Sequence, residues 1–163
     1  MFDKKLKINN TPQYYYHLTY YDLGDNIDLI PQKGINICNG EPEGRRICVS
    51  DHPAKCFAAI PIEQKDYLSV YRTTNKVNAY HPYGVEDAYI TGEMWLLEKT
   101  RFTRIMEIDP KTKNEDYHTL WKTYYKYSIC AGSMIDFFQY EALNLIEDLC
   151  KTRLFHGKVL EEL

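Results

Sequence analysis

From Gln13 to Tyr21 the chain reads QYYYHLTYY, a run of aromatic and β-branched positions with His17 near its middle, and this predicts a strand that follows a polar leader. From Asp22 to Arg46 the breakers Gly24, Pro31, Gly34, Gly40, Pro42 and Gly44 predict a long loop with only short extended pieces. Loops of that length in a compact domain are often lids or binding loops. The apolar run RICV over 46–49 predicts a short strand. Ser50 and Asp51 then offer an N-cap, and Pro53 suits a first turn, so a helix is expected over 53–60 until Pro61 stops it. LSVYR over 68–72 predicts a strand, and 73–87 is polar and turn-rich. YITGEMWLLE over 89–98 and FTRIMEI over 102–108 predict two strands joined around 99–101.

After residue 110 the apolar period changes from two to that of a helix. Tyr117, Leu120, Trp121, Tyr124 and Ser128 fall on one helical face, and Gly132 interrupts the pattern. Ser133 with Asp136 resembles a capping box opening a second helix, whose Ile135, Phe138, Ala142, Leu145 and Leu149 share a face. The expected fold class is therefore α+β: small, twisted, mainly antiparallel sheets over 1–110 and a C-terminal helical hairpin over 111–163, together one compact domain. Such faces serve as ordinary core, or as a docking surface for a protein partner.

Composition narrows the class without naming a function. The 163 residues are 44% hydrophobic and 26% charged, which fits a folded globular chain. Fifteen tyrosines dominate the aromatic content, and a ring with a polar tip suits half-buried sheets, clefts and interfaces alike. The net charge is −3, and the basic residues form no run beyond Lys4, Lys5 and Lys7, which argues against nucleic acid as the partner. MFDKKLKINNTPQ lacks the apolar core of a signal peptide, and no apolar run approaches the length of a membrane helix. A cytoplasmic protein with no membrane partner is expected, its five cysteines reduced.

Among those cysteines, Cys38, Cys48 and Cys56 with His52 are the one set that invites a metal reading. No C-x2-C knuckle presets the angle, and Pro53 prevents Cys48, His52 and Cys56 from sharing one helical face, so no metal is expected. No P-loop, G-x-G-x-x-G, H-E-x-x-H or G-x-S-x-G motif occurs. Arg45, Arg46 and Lys55 near a helix start make a candidate pyrophosphate site.

Three pieces then occur in a suggestive order: YYYHLTY, RRICVSDHPAKCFAAI and YITGEMWLLEK. In this order they resemble the ADP-ribosyltransferase-like fold, nearest to the small rifampin ADP-ribosyltransferase type. Tyr16, His17 and Thr19 match the first motif, residues 47–59 the second, and Glu93 with Trp95, Leu96 and Leu97 the third. The resemblance covers about residues 14–108. It departs at Leu18, where the family has glycine, and at Cys48, where it has tyrosine.

The resemblance implies an NAD-binding protein that cleaves the bond between nicotinamide and ribose and transfers ADP-ribose to an acceptor. In that scheme Glu93 and His17 are the catalytic pair. Glu93 accepts from a ribose hydroxyl and stabilises oxocarbenium-like charge, with Glu98 and Glu86 as rivals for the role. His17, Thr19, Ser50 and Arg46 hold the dinucleotide, and Tyr71, Tyr80 or Tyr83 supplies a ring to stack on nicotinamide. The scheme requires His17 and Glu93 to face one cleft. The rival expectation is a non-catalytic interaction module, of a kind carried by phages or mobile elements, that grips its partner with tyrosine-rich surfaces.

Overall fold

The computed structural model describes residues 6–34, 44–52, 55–56, 67–83, 88 and 92–111. Nine strands run through them: β1 (Leu6–Gln13), β2 (Tyr16–Thr19), β3 (Asn26–Leu29), β4 (Gln32–Lys33), β5 (Arg45–Ser50), β6 (Leu68–Thr73), β7 (Val77–Pro82), β8 (Glu93–Leu96) and β9 (Thr100–Ile108). Eight follow one another in the sheet as β1-β7-β8-β5-β2-β6-β9-β3, and β4 pairs with β5 off that path. Every pairing is antiparallel.

Alternation along the strands sends one set of side chains to a common core. Tyr15, Ile47, Val49, Tyr71, Ala79, Met94, Leu96 and Phe102 cluster there, with Ile27, Leu29 and Val77 packed at its margin. Their neighbours in β5 and β8, Arg46, Ser50 and Trp95, point to the opposite face and are buried as well, as are Leu18 and Val70. β6, LSVYRT, is buried along nearly its whole length, and its β-branched and aromatic residues read as a strand although Ser69, Arg72 and Thr73 are polar.

The expected α+β class is corrected. The described residues form an almost wholly antiparallel sheet without a helical element, and helical backbone among them is confined to Lys55, Cys56 and Ala88. The segments that read as a polar leader and a turn-rich region are strands. They are β1 and β7, which pair from Leu6 opposite Pro82 to Gln13 opposite Val77. Backbone hydrogen bonds across the pair hold them whatever their side chains: Asn10, Thr11 and Asn78 are exposed, while Asn9 lies on the core face and its Nδ2–H donates to the Tyr15 hydroxyl at 3.2 Å. Pro12, which has no N–H to give, falls where the register shifts between Asn9 and Gln13, the position a bulge leaves for it. Most of the predicted 53–60 helix and the whole 111–163 hairpin, apart from residue 111 at its start, lie outside the described residues.

β2 and β5 meet at one register position, Tyr16 opposite Ser50. β5 continues beside β8 over Ile47 to Ser50, and β2 continues beside β6 over Tyr16 to Thr19. The two halves of the sheet are thus joined at a narrow seam, and the candidate residues gather around it.

Candidate functional site

Cross-strand register sets out the site. Tyr16 lies opposite Ser50, and Ser50 lies opposite Glu93, so these three residues form a row across β2, β5 and β8 on one face. Two positions along, Cys48 lies opposite Trp95, and Trp95 lies opposite Tyr80 of β7. Arg46 belongs to the same face and stacks on the Trp95 ring, its guanidinium carbon 4.0 Å from the centroid. The buried Trp95 indole Nε1–H donates to Glu93 Oε1 at 2.6 Å and fixes the carboxylate against its strand.

Glu93 is placed from below by Gly92, whose φ of +61° favours glycine. A Cβ there would come within 2.7 Å of Lys55 Cδ and would also meet Asp51. Lys55 and Asp51 are themselves paired at 2.7 Å, and Lys55 N–H donates to His52 O at 3.1 Å, turning the chain after β5. Cys56 packs beneath that turn. Burial pushes its thiol up to about 12, in part opposed by a hydrogen bond with Ser50.

Cys48 lies next to Glu93 on this face. Although part of the residue reaches solvent, its thiol is pushed up to about 12, first by removal from water and then by the negative charge of Glu93, with Arg46 acting in the other direction. A thiol in that state is a poor nucleophile and a poor metal ligand. Among the described residues no three His, Cys, Asp or Glu side chains gather as a metal ion would need. Cys38 of the possible zinc set lies outside the described residues.

His17 follows Tyr16 in β2 and so projects from the other face, where its ring centroid lies 6.2 Å from that of the core residue Phe102. Its Nδ1 is 2.9 Å from Cys48 O, and because a carbonyl only accepts, Nδ1 carries the proton and donates. The neutral ring then keeps Nε2 as an acceptor. Burial lowers the His17 pKa below the usual imidazole value, and the Cys48 carbonyl opposes that only partly. The expected pair therefore does not share a face: Glu93 and His17 are linked through the Cys48 residue, whose side chain neighbours the former and whose carbonyl holds the latter.

The other expected residues divide the same way. Ser50, Arg46 and Tyr80 share the Glu93 face. Thr19 and Tyr71 share the His17 face, Tyr71 directly opposite His17 in β6. Tyr71 is fully buried; its hydroxyl donates to Gly24 O at 2.9 Å and accepts from Leu23 N–H at 3.3 Å. Those bonds pin the β2–β3 loop and leave the ring no face for a ligand. Thr19 Oγ1 accepts from Tyr21 N–H at 3.3 Å, closing the turn after β2. Tyr83 is exposed and stands edge-on to His81, with ring centroids 5.6 Å apart.

Gly92 carries no signal of this arrangement in the sequence, Trp95 enters there only as part of the third motif, and Cys48 only as a departure from the family's tyrosine. The i, i+2 spacing of Glu93 and Trp95 in a strand is the available signal, since it puts carboxylate and indole on one face. Among the described residues no helix is long and apolar enough to cross a membrane. Comparison with family models, with curated proteins and with solved structures finds no match.

Proposed function

We propose that the chain binds NAD on the face that carries Glu93. Because His17 stands on the opposite face, the scheme in which the two share a cleft falls, and transfer of ADP-ribose to an acceptor or to water rests on Glu93 without a histidine partner. What supports the reading is one relationship: the three pieces of sequence that resemble ADP-ribosyltransferases, far apart along the chain, lie side by side as β8, β5 and β2. Within them Tyr16, Ser50 and Glu93 form a single row.

In this reading the bond from ribose C1′ to the nicotinamide nitrogen breaks, and the electron pair leaves with nicotinamide. Glu93, held by the Trp95 indole, offers fixed negative charge to the cationic sugar, and the acceptor adds to C1′ and loses its proton. Arg46, buried and stacked on the Trp95 ring, lends positive charge to this face from within the packing rather than by reaching the phosphates. His17 is a positioning residue: it holds the Cys48 carbonyl, and with it the β5 segment between Arg46 and Ser50. Leu18, which replaces the family's glycine, is buried opposite Val70, so its side chain is part of the packing. A cytosolic location agrees with Cys48 and Cys56 being free thiols.

The test is to incubate the pure chain with millimolar NAD, following thermal shift and nicotinamide release. Stabilisation and release are expected, with release falling roughly 100-fold or more in Glu93→Gln while NAD still binds. Absence of any thermal shift overturns the NAD reading, and release unchanged in Glu93→Gln removes the carboxylate from the mechanism.

A further inference from the structure

At the end of β8 away from Glu93, a cavity of about 530 Å³ opens between the starts of β7 and β9. That volume lies within the range typical of small-molecule sites. Ile8 of β1 and Tyr80 of β7, opposite each other in register, form its apolar wall, and the core residue Leu96 borders it at the end of β8. Asn78 adds a side-chain amide, Glu98 a carboxylate and Arg101 a guanidinium. Lys99 also lines the cavity and is tied to Asp28 at 2.9 Å, and Arg101, opposite Asp28 in the β3–β9 register, shares that carboxylate while its exposed guanidinium stands on the rim.

We propose that this cavity is a second site, separate from Glu93, and that it takes a nucleoside monophosphate. Each wall meets one part of such a ligand. The half-buried Tyr80 ring gives a flat base an aromatic surface. An asparagine amide donates and accepts, as the edge of a base requires. A carboxylate accepts from the two hydroxyls of a ribose, and a guanidinium binds phosphate through paired N–H groups. An apolar molecule would leave Glu98, Asn78 and Arg101 without use, whereas free phosphate would leave the aromatic wall without use.

The two sites meet only at Tyr80, which lies opposite Trp95; Glu93 and Leu96 themselves stand at opposite ends of β8, about 10 Å apart at strand rise. The proposal does not depend on NAD turnover.

The experiment is a titration of the full chain with adenosine 5′-monophosphate, read by calorimetry and by backbone amide shifts in NMR, with adenosine and inorganic phosphate as separate arms. Binding is expected, with shifts confined to Ile8 and to residues 75–80 and 96–101. Arg101→Ala, at an exposed position, should weaken the monophosphate roughly 10-fold to 100-fold while changing adenosine little. Glu93→Gln should leave this binding as it is. No binding at millimolar ligand overturns the proposal. So do shifts centred on Ser50 and Glu93, a native affinity in Arg101→Ala, or inorganic phosphate binding as tightly as the nucleotide.

Discussion

The Nδ1–H of His17 donates to the carbonyl oxygen of Cys48 at 2.9 Å across the seam where β2 and β5 otherwise meet only at Tyr16 and Ser50. One side-chain bond therefore continues a backbone pairing that the strands abandon, and it does so from the face opposite Glu93.

That bond carries a pH dependence. Burial holds the folded imidazole below the unfolded value of about 6.5. Between the lowered value and 6.5 the unfolded chain binds more protons than the folded one. The stability contributed by neutral His17 is thus complete above that window and declines as the pH falls through it. His17→Gln does not titrate and should flatten the slope. Chemical denaturation from about pH 5 to about pH 8 checks this, since an equal slope in both proteins would place its origin in another group.

Cys48 should alkylate slowly at neutral pH even though part of it meets solvent, because its thiol is pushed up to about 12 by burial and by Glu93. Glu93→Gln removes the second cause and should speed the reaction several-fold. Peptide mapping by mass spectrometry after timed treatment with iodoacetamide reads the modification at Cys48 alone. An unchanged rate would separate the carboxylate from the thiol.

Gly92→Ala puts a Cβ on a backbone of positive φ and against Lys55 and Asp51. The expected loss is about 1–3 kcal/mol of stability, measured by urea unfolding. Adding Lys55→Ala should restore only part, because the φ strain remains. Full restoration would assign the whole cost to the contact.

Tyr71→Phe should cost about 1–2 kcal/mol, since the lost hydroxyl leaves Gly24 O and Leu23 N–H without their partner. NAD affinity should not change. Lower affinity at unchanged stability, followed by calorimetry beside thermal melting, would return this ring to the ligand.

The strands visible in the sequence were those whose side chains alternate or are buried on both faces: β2 around His17, β5, β6, β8 and β9. β1 and β7 were not visible, because polar residues such as Asn9, Thr11 and Asn78 resemble turns until another strand pairs with their backbone. The candidate site was legible to a similar depth. Glu93, Ser50 and Arg46 were singled out by residue type and order, and they do share a face. The joint placement of His17 and Glu93 was not legible, since a single step in strand register sends a side chain to the other face and that register is set by pairing between segments more than thirty residues apart.

The sequence by itself determined that the segments of β2, β5, β6, β8 and β9 are extended and which residues could carry charge, protons or a flat ring, because backbone preference and side-chain chemistry are local properties. Tertiary structure alone decided that β8, β5 and β2 are neighbours, that Tyr71 belongs to the core, and that His17 reaches Glu93 only through Cys48. Those outcomes depend on cross-strand pairing and burial, which exist only once distant parts of the chain have met.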